Sequence, residues 1–225
     1  MNFKIHVLII SLLSIVAGTA LAEWSTIKAS SIQISAPPDA DVTRTELETL
    51  HHFEQTRTDM DCKLAASQAL PSFDKFFVNK LHPVLTTSEA TALKAFVTKA
   101  MNTASSVAGA YKNKYSRPRP LTEDSSLKPC VLTPSGSLSY PSAHSAMALA
   151  GACAIGKILP DQAGDVLKYA NYLAELRAVI GVHHPSDVFA GKAIGTQLCE
   201  AWSKDISFTT EATKLQKALK LTVKN

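Results

Sequence analysis

The sequence lacks the patterns that identify many cofactor-dependent and metal-dependent enzymes. It contains no Gly-rich phosphate-binding loop, no Gly-x-Gly-x-x-Gly dinucleotide fingerprint and no His-Glu-x-x-His zinc motif. Its four cysteines include no Cys-x-x-Cys pair, which disfavours a zinc or redox centre built on that motif. It also has no convincing alternation of apolar and polar residues and no internal repeat, so the sequence predicts an all-α fold.

The chain also has only a small excess of positive charge and few long apolar runs. The formal net charge is +4 at pH 7 for 225 residues, too small to predict the dominant basic face of a nucleic-acid-binding protein. The longest apolar run after residue 22 extends from Ala146 to Leu159 and is interrupted by Lys157, so we expect no stable membrane insertion. The sequence leaves open whether the chain forms a homo-oligomer.

The first 22 residues have the composition of a secretory signal peptide. Lys4 and His6 precede an apolar run over residues 7–17, and Ala20-Leu21-Ala22 follows as a small-residue cleavage site. An uncleaved anchor or a buried N-terminal helix is the alternative. We expect cleavage near Ala22 and a periplasmic or secreted mature protein, whose 203 residues are enough for one domain.

The four cysteines are Cys62, Cys130, Cys153 and Cys199, and all follow the predicted cleavage site. An even number in an exported chain favours disulfides, with buried free thiols as the alternative. Three pairings are possible, and the sequence does not select among them.

Apolar periodicity predicts a helical domain over residues 43–225, preceded by an extended arm over 23–42 that contains Pro37-Pro38. The first helix is predicted from Thr43, with Leu50 on its buried face and Glu46 on another face.

Capping patterns and apolar stripes predict further helices. Thr86-x-x-Glu89 has the form of a capping box and opens a long helix to about Tyr111. The segment 112–140 is rich in Pro and Ser and is predicted as a long ordered loop, which in a compact domain is usually functional. Other helices are predicted over 60–70, 72–79, 142–159, 161–180 and 187–202, the last capped by Ser186, with a short C-terminal helix after them.

Three short segments concentrate polar residues beside these apolar helices: 112–120, 139–144 and 177–187. Each has an ordinary explanation by itself, as a solvated basic loop, a helix start or a turn. Together they supply three cations, Lys112, Arg119 and Arg177, of which two are guanidiniums suited to forked contacts with phosphate oxygens.

The second and third segments add the other groups that phosphoryl transfer through histidine requires. Ser142 is predicted at a helix N-terminus, where free backbone N–H groups favour an anion, and His144 lies within that first turn. His183 precedes Asp187 by four residues, a spacing that lets the carboxylate hold the imidazole in one tautomer.

The spacing of these residues resembles the motifs of the type 2 phosphatidic acid phosphatase and vanadium haloperoxidase superfamily. That pattern is K-x6-R-P, then P-S-G-H, then S-R-x5-H-x3-D, and the sequence matches it at 112–120, 141–144 and 176–187 with two changes. The surrounding residues look most like the soluble bacterial non-specific acid phosphatases. The resemblance covers roughly Pro37 to Cys199 and implies an all-helical single domain that hydrolyses small phosphate monoesters.

The resemblance implies a role for each matching residue. His183 is expected to attack phosphorus, Asp187 to hydrogen-bond its far nitrogen, and His144 to protonate the leaving group and then activate water. The residues expected to bind the phosphate oxygens are Lys112, Arg119, Ser142, Ala143 and Arg177. The resemblance implies neither a metal nor another cofactor.

Two positions depart from the family pattern. Ala143 replaces Gly, which is tolerable if the backbone there is helical and costly if φ is positive. Leu176 replaces the Ser before Arg177, and we expect this change to alter packing rather than activity.

Several nearby residues have no counterpart in the motifs. Arg117 is interpreted either as an addition to the positive potential that attracts anionic substrates or as a surface residue. His184 is expected to shape the turn or the mouth of the site, and Tyr140 with the loop 121–139 to contact the leaving group.

Three other functions stay open at this stage. Vanadium haloperoxidases share the fold but are typically much longer, and the phosphatases that act on lipid-linked phosphate usually have several spanning helices. A non-catalytic phosphate-binding protein is the third alternative, although capture alone has no need of His144, His183 and Asp187 as proton carriers.

Overall fold

The computed structural model describes residues 23–81 and 85–222, so the predicted signal peptide over residues 1–22 lies outside the described part. Within that part the regular structure consists of helices, with no strand, and the all-α prediction is confirmed. The α-helices are α1 (Ala40–Thr56), α2 (Asp59–Ser67), α3 (Phe73–Phe76), α4 (Thr87–Tyr115), α5 (Pro120–Glu123), α6 (Ala143–Ile158), α7 (Ala163–Val179), α8 (Pro185–Ser203) and α9 (Ile206–Thr222).

Helix α6 is the centre of the fold. Eleven of its 16 residues are buried, and most of them are Ala, Gly, Leu, Ile or Met. A helix that is apolar on all sides is stable only when other helices surround it, and α4, α7 and α8 pack against α6. The N-terminal ends of α6 and α8 and the C-terminal ends of α4 and α7 carry the three polar segments.

Residues 23–39 precede α1 and contain two single 3-10 turns, Trp24–Thr26 and Ala29–Ser31. The side chain of Trp24 is 1% exposed and packs edge-on against Trp202 and Phe208. Helix α1 begins at Ala40, earlier than the predicted Thr43, because the Asp39 carboxylate accepts hydrogen bonds from two amides of the first turn.

The long helix α4 begins as its sequence predicted. Thr86 is the N-cap, and Thr86 and Glu89 exchange both hydrogen bonds of a capping box. The helix ends at Tyr115 rather than near Tyr111, so Lys112 lies in its last turn and not in the following loop. Ser116, with φ of 48°, ends the helix in a left-handed conformation.

Helix α8 begins earlier than predicted. Its N-cap is His184 and its first residue is Pro185, so the prediction that Ser186 caps it is wrong. Pro185 suits the first helical position because that position needs no N–H donor. Asp187 occupies the third position, and its carboxylate accepts the N–H of His184 at 2.9 Å. The C-terminal helix α9 is also longer than predicted, with 17 residues, and Phe208 and Ala212 join the core.

Close approach of α8 to α6 depends on Gly191. A Cβ added at Gly191 would lie 2.3 Å from the carbonyl oxygen of Ser142 and 2.9 Å from Cβ of Ser145. The main-chain N–H of Ser142 in turn donates to the carbonyl oxygen of Asp187 at 2.9 Å. The N-terminal ends of α6 and α8, which carry two of the polar segments, are therefore in direct backbone contact.

All four cysteines form disulfides. Cys62 of α2 is bonded to Cys130 of the loop after α5, and Cys153 of α6 to Cys199 of α8. The alternative of free thiols is therefore wrong. Across the described residues, no helix has both the length and the apolar character that crossing a membrane requires.

Candidate active site

The structure brings the three polar segments together around His183. The turn that carries His183 follows α7, and Gly181, with φ of 78°, reverses the chain there. His183 is 1% exposed, so its ring is fixed by the surrounding protein rather than by solvent. Its Nδ1 lies 3.2 Å from Oδ2 of Asp187, and its Nε2 lies 2.7 Å from Nη1 of Arg119.

These two contacts determine which nitrogen of His183 carries the proton. A guanidinium has no acceptor, so Nε2 accepts the hydrogen bond from Arg119 and has a lone pair. Nδ1 therefore carries the hydrogen and donates it to Asp187. Burial and the positive charge of Arg119 hold the pKa of His183 well below its usual value, which keeps the imidazole neutral at neutral pH.

Asp187 is fully buried and remains ionised because it is well hydrogen-bonded. Burial by itself raises the pKa of a carboxyl group, but hydrogen bonds from His183 and His184 hold the pKa of Asp187 well below its usual value. The hydroxyl of Ser139 also donates to Oδ2, and Arg117 donates to Oδ1 at 2.9 Å. The position in the first turn of α8 favours a negative charge as well.

Lys112 reaches the site from the last turn of α4. Its Nζ donates to the carbonyl oxygens of Leu138 and Ser139 at 2.7 and 2.8 Å, which leaves one ammonium hydrogen for another acceptor. Burial, followed by repulsion from Arg119, lowers the pKa of Lys112 to about 7.

Arg177 is the cation of the site with the most donors that lack a hydrogen-bond acceptor among the described residues. The residue is 6% exposed, and within 23–81 and 85–222 neither Nε nor Nη1 has a hydrogen-bond acceptor. Nε of Arg119 also lacks an acceptor among these residues. Burial and the charge of Arg119 lower the pKa of Arg177 to about 10. Buried guanidinium groups with unmatched donors indicate a site for an anion, since an unpaired buried charge is costly.

His144 is in the first turn of α6 and partly buried. Its Nε2 lies 3.1 Å from the carbonyl oxygen of Gln68. A carbonyl only accepts, so Nε2 carries a hydrogen and Nδ1 is the atom that gains or loses a proton. Burial and the charges of Arg177, Arg119 and Lys112 lower the pKa of His144 to about 3.

Ser142 is the N-cap of α6, as predicted. Its Oγ accepts hydrogen bonds from the N–H and the hydroxyl of Ser145, so its own hydroxyl hydrogen is left to donate elsewhere. Ala143 is the first helical residue, with no positive φ, so its methyl group is tolerated where the family has Gly. The amides of Ala143 and His144 have no carbonyl within the helix to bond to and suit an anion.

Leu176, the other departure from the motif, has a packing role. Its side chain is 2% exposed and lies in a small apolar cluster with Ala65, Ile180 and Val182. Tyr140, which was expected to contact the leaving group, has a buried side chain whose hydroxyl is already bonded within the protein. Tyr140 is 3% exposed and its hydroxyl donates to the carbonyl oxygen of Ser35 at 2.7 Å.

Arg117, an ion-pair partner of Asp187, was misread in the sequence, and the second partner of Arg117, Glu46, was missed. Arg117 is 6% exposed, so its interpretation as a surface residue is wrong. It pairs with Glu46 of α1, which is 8% exposed and was assigned to another face of that helix. The sequence contains one signal for this: Glu46 precedes the fully buried Leu50 by four residues and so shares its face.

His184 is also part of this arrangement rather than of the site mouth. It is fully buried, with Nδ1 3.2 Å from Oδ2 of Asp187 and Nε2 2.6 Å from Oε2 of Glu123. Nothing in the sequence relates Glu123 to His184, since 60 residues separate them.

The arrangement can support transfer of a phosphoryl group. It combines an unprotonated buried imidazole nitrogen, a carboxylate behind it, a second imidazole and three cations with free donors. Among the described residues, no group of three or more His, Cys, Asp or Glu side chains is arranged to hold a metal ion.

Comparison with known proteins gives one further finding. The model of the family described as the PAP2 superfamily matches residues 87–209, which is more than half of the chain and contains all three polar segments. No curated protein matches the chain.

Proposed function

The chain belongs to the PAP2 superfamily, and we propose that it is a metal-independent acid phosphatase that hydrolyses phosphate monoesters through a phosphohistidine intermediate. Membership supports an enzyme that hydrolyses phosphoesters. The finer assignment, to monoesters and to a histidine nucleophile, rests on the unmatched donors of Arg177 and on the geometry around His183.

The observation that carries the proposal is the unmatched guanidinium of Arg177. Its Nε and Nη1 are buried and lack acceptors in the described part of the chain, within range of the charges of Arg119. A phosphoryl group presents three oxygens to three cations, and bidentate contact with guanidinium is the strongest form of that interaction. Lys112, Arg119 and Arg177 together would neutralise the oxygens as the reaction proceeds.

In the first step, Nε2 of His183 attacks phosphorus and the bond to the leaving oxygen breaks. A phosphate oxygen is a better acceptor than an imidazole for the N–H of Arg119, so the incoming phosphate draws Arg119 away and exposes the lone pair of Nε2. Asp187 accepts the Nδ1–H bond throughout and stabilises the positive charge on the phosphorylated ring. Nδ1 of His144 gives its proton to the leaving oxygen.

In the second step, His144 acts as a base. Its deprotonated Nδ1 removes a proton from a water molecule, the water oxygen attacks phosphorus, and the bond between phosphorus and Nε2 of His183 breaks. His144 then carries the proton needed for the next cycle. The pKa of about 3 that burial and Arg177 impose on His144 keeps Nδ1 unprotonated in the free protein, and a bound dianion raises this pKa toward the operating pH that the acid and base roles both require.

The proposal includes export. Two disulfides fit an extracytoplasmic protein, because intracellular thiols are usually kept reduced. We therefore propose that residues 1–22 are removed near Ala22 and that the mature protein acts in the periplasm or outside the cell on small phosphorylated substrates.

The direct test is phosphate release from an aryl phosphate at about pH 5–6. We expect release by the wild type to continue in a metal chelator and to fall with vanadate. His183→Ala should abolish it, because no other group occupies the position of Nε2. Substantial residual turnover in His183→Ala would show that the nucleophile is assigned to the wrong residue.

The same assay separates the alternatives. His52→Ala is the control, because His52 is an exposed histidine of α1, and this variant should keep wild-type turnover. Release from phosphatidate in detergent micelles but not from soluble aryl phosphates would assign the enzyme to lipid-linked substrates. Binding of phosphate without turnover of either substrate would indicate a phosphate-binding protein.

A further inference from the structure

Two arginines on either side of Pro118 reach opposite ends of the His183–Asp187 pair. Arg119 contacts Nε2 of His183, the nitrogen that attacks phosphorus in the proposed reaction, at 2.7 Å. Arg117 contacts the far oxygen of the Asp187 carboxylate, Oδ1, at 2.9 Å. Only the first of these arginines has a counterpart in the sequence motif. The second lies behind the catalytic pair, where it cannot touch substrate.

Arg117 is held rigidly in that place. The residue is 6% exposed, and its Nη1 also donates to the hydroxyl of Ser186 at 2.7 Å. Its Nη2 donates to the hydroxyl of Thr43 at 3.0 Å and to Oε2 of Glu46 at 2.9 Å. The guanidinium therefore links α1 to the start of α8 through charged and hydroxyl groups on both sides.

Glu46 fixes the same end of α8. Its Oε1 accepts the main-chain N–H of Ser186 at 2.6 Å, and its Oε2 accepts the hydroxyl of Ser186 at 2.9 Å. Glu46 thus neutralises Arg117 and also bonds an N–H of the first turn that carries Asp187. The charges Glu46, Arg117 and Asp187 alternate in sign along a buried line that ends at His183.

We propose that Arg117, held by Glu46, is a positioning residue for phosphoryl transfer: it keeps the Asp187 carboxylate ionised and its Oδ2 directed at Nδ1 of His183, so that Nε2 retains its lone pair. This inference rests on the proposed function and adds a residue that acts through Asp187. Without a cation at Oδ1, the carboxylate has room to rotate. Its charged form is also less stable in the buried site.

Other groups also act on Asp187 and bear on its protonation. The groups that contact it directly are His183, His184, Ser139 and Arg117. Arg119, Lys112 and Tyr140 act on it through space. Glu46 and Glu123 lie one contact further away, on Arg117 and His184. Arg117 is the cation that contacts Oδ1, whereas the histidines and Ser139 contact Oδ2. Its removal therefore changes both the charge and the orientation of the carboxylate.

The test compares Arg117→Met with Glu46→Gln in the full chain by the pH dependence of kcat. Loss of the cation in Arg117→Met should lower kcat about 10- to 100-fold, the loss expected for a charge-assisted hydrogen bond. The acid limb of the profile should move to higher pH, because the carboxyl is easier to protonate. Glu46→Gln removes the counter-charge of Arg117, so its acid limb should move to lower pH, with a smaller loss in kcat.

Shifts of opposite sign distinguish positioning from structural damage, which would move both profiles in one direction. KM should change less than about threefold in either variant. Arg117→Lys should recover part of kcat, because a lysine restores the positive charge but not the forked hydrogen bonds of a guanidinium. Glu48→Gln and Arg44→Lys are matched controls, because both are exposed residues of α1, and both should leave the profile unchanged. If Arg117→Met fails to fold, Arg117→Lys and Glu46→Gln still carry the comparison.

A second readout does not depend on turnover. In ¹⁵N spectra of the histidine rings, the wild type should show His183 with hydrogen on Nδ1, and the Arg117 variants should show a mixture of tautomers. An unchanged tautomer together with an unchanged acid limb in every Arg117 variant would overturn the inference. A wild type that releases no phosphate would overturn the proposed function, and the spectra would then decide alone whether Arg117 positions Asp187.

Discussion

At the scale of single residues, His144 differs from His183 in the partner that orients it. His183 donates to a carboxylate, whereas His144 donates to the main-chain carbonyl of Gln68. A neutral acceptor stabilises an imidazolium less than a carboxylate does. The proton on Nδ1 of His144 is therefore held weakly, which favours its transfer to a leaving oxygen.

We predict that the effect of His144→Ala depends on the leaving group. For an alkyl phosphate, whose alkoxide must be protonated as it leaves, kcat should fall about 10²- to 10⁴-fold. For p-nitrophenyl phosphate, whose phenolate leaves readily, the loss in the first step should be much smaller. Burst kinetics with the two substrates measure this, and an equal loss in the first step for both would exclude His144 as the acid.

Lys112 predicts how anion binding depends on pH. Its pKa of about 7 in the folded protein means that the ammonium loses its proton just above neutrality, and a bound dianion raises that pKa. The affinity for sulfate, whose charge is constant in this range, should therefore decrease as pH rises above 7, by up to about tenfold per pH unit. Competitive inhibition by sulfate between pH 5 and 9 measures it.

Matched variants identify the group responsible. Lys112→Arg should flatten the pH dependence, because a guanidinium stays charged throughout this range. Lys114→Arg, an exposed change in the same helical turn, should leave it as in the wild type. A dependence that survives Lys112→Arg would assign the titration to another group.

The residues of the site were predictable from the sequence to the extent that local spacing determines them. The four-residue separation of His183 and Asp187 and the position of Ser142 at a helix start are local patterns, and both residues lie where those patterns place them. Glu46 and Arg117 are 71 residues apart, and the carbonyl of Gln68 is 76 residues from His144. Such contacts depend on how the helices pack against each other, and residue spacing within one segment cannot predict them.

At the scale of elements, the approach of α8 to α6 brings together the two helix N-termini of the candidate active site. Gly191 allows that approach because any side chain there would overlap the carbonyl of Ser142. The N–H of Ser142 and the carbonyl of Asp187 bond across the same contact. The packing of two helices thus sets the distance between the N-terminus of α6, proposed to bind phosphate, and His183, the proposed nucleophile.

We predict that Gly191→Ala destabilises the protein by about 1–3 kcal/mol, the range for overpacking a tight interior. It should also lower kcat, because α8 must move away from Ser142. Gly109→Ala is the matched control, since a Cβ there meets nothing within 4 Å, and it should stabilise α4 by roughly 0.5–1 kcal/mol. Urea unfolding and kcat for both variants measure this. A Gly191→Ala protein as stable as the wild type would mean that the contact relaxes at little cost.

The presence and order of the helices were predicted more accurately than the residues at which they begin and end. The capping box of Thr86 and Glu89 and the Pro residues between helices gave correct starts and breaks. The start of α8 was misplaced because the capping oxygen belongs to Asp187, inside the helix, and bonds back to His184. The pairing of Cys62 with Cys130 was also beyond the sequence, because it requires α2 to lie beside a loop 68 residues later.

At the scale of the whole molecule, buried histidines make stability depend on pH. The pKa of His144 is about 3 in the folded state and that of His183 is also lowered, whereas histidines in the unfolded chain have values near 6.5. Below pH 6.5 the unfolded state therefore binds more protons. The stability that the neutral rings contribute is present above that pH and is lost as the pH falls.

We predict a decrease in the free energy of unfolding of about 1.4 kcal/mol per pH unit for each of these two histidines below pH 6.5. His144→Asn should reduce the slope by one such contribution, and His52→Asn, on the exposed face of α1, should not. Urea denaturation at pH 7, 6 and 5 gives the slopes. Parallel slopes for His144→Asn and the wild type would show that His144 is protonated in the folded protein.

The unmatched donors of Arg177 have a consequence for the protein in its surroundings. In the proposed function they bind oxygens on phosphorus, and these are the same whether the phosphate is esterified or free. Orthophosphate released by one turnover therefore competes with the next substrate for the same cations. We expect turnover to slow as the product accumulates, so that the enzyme works fastest where free phosphate is scarce and is restrained by its own product where it is plentiful.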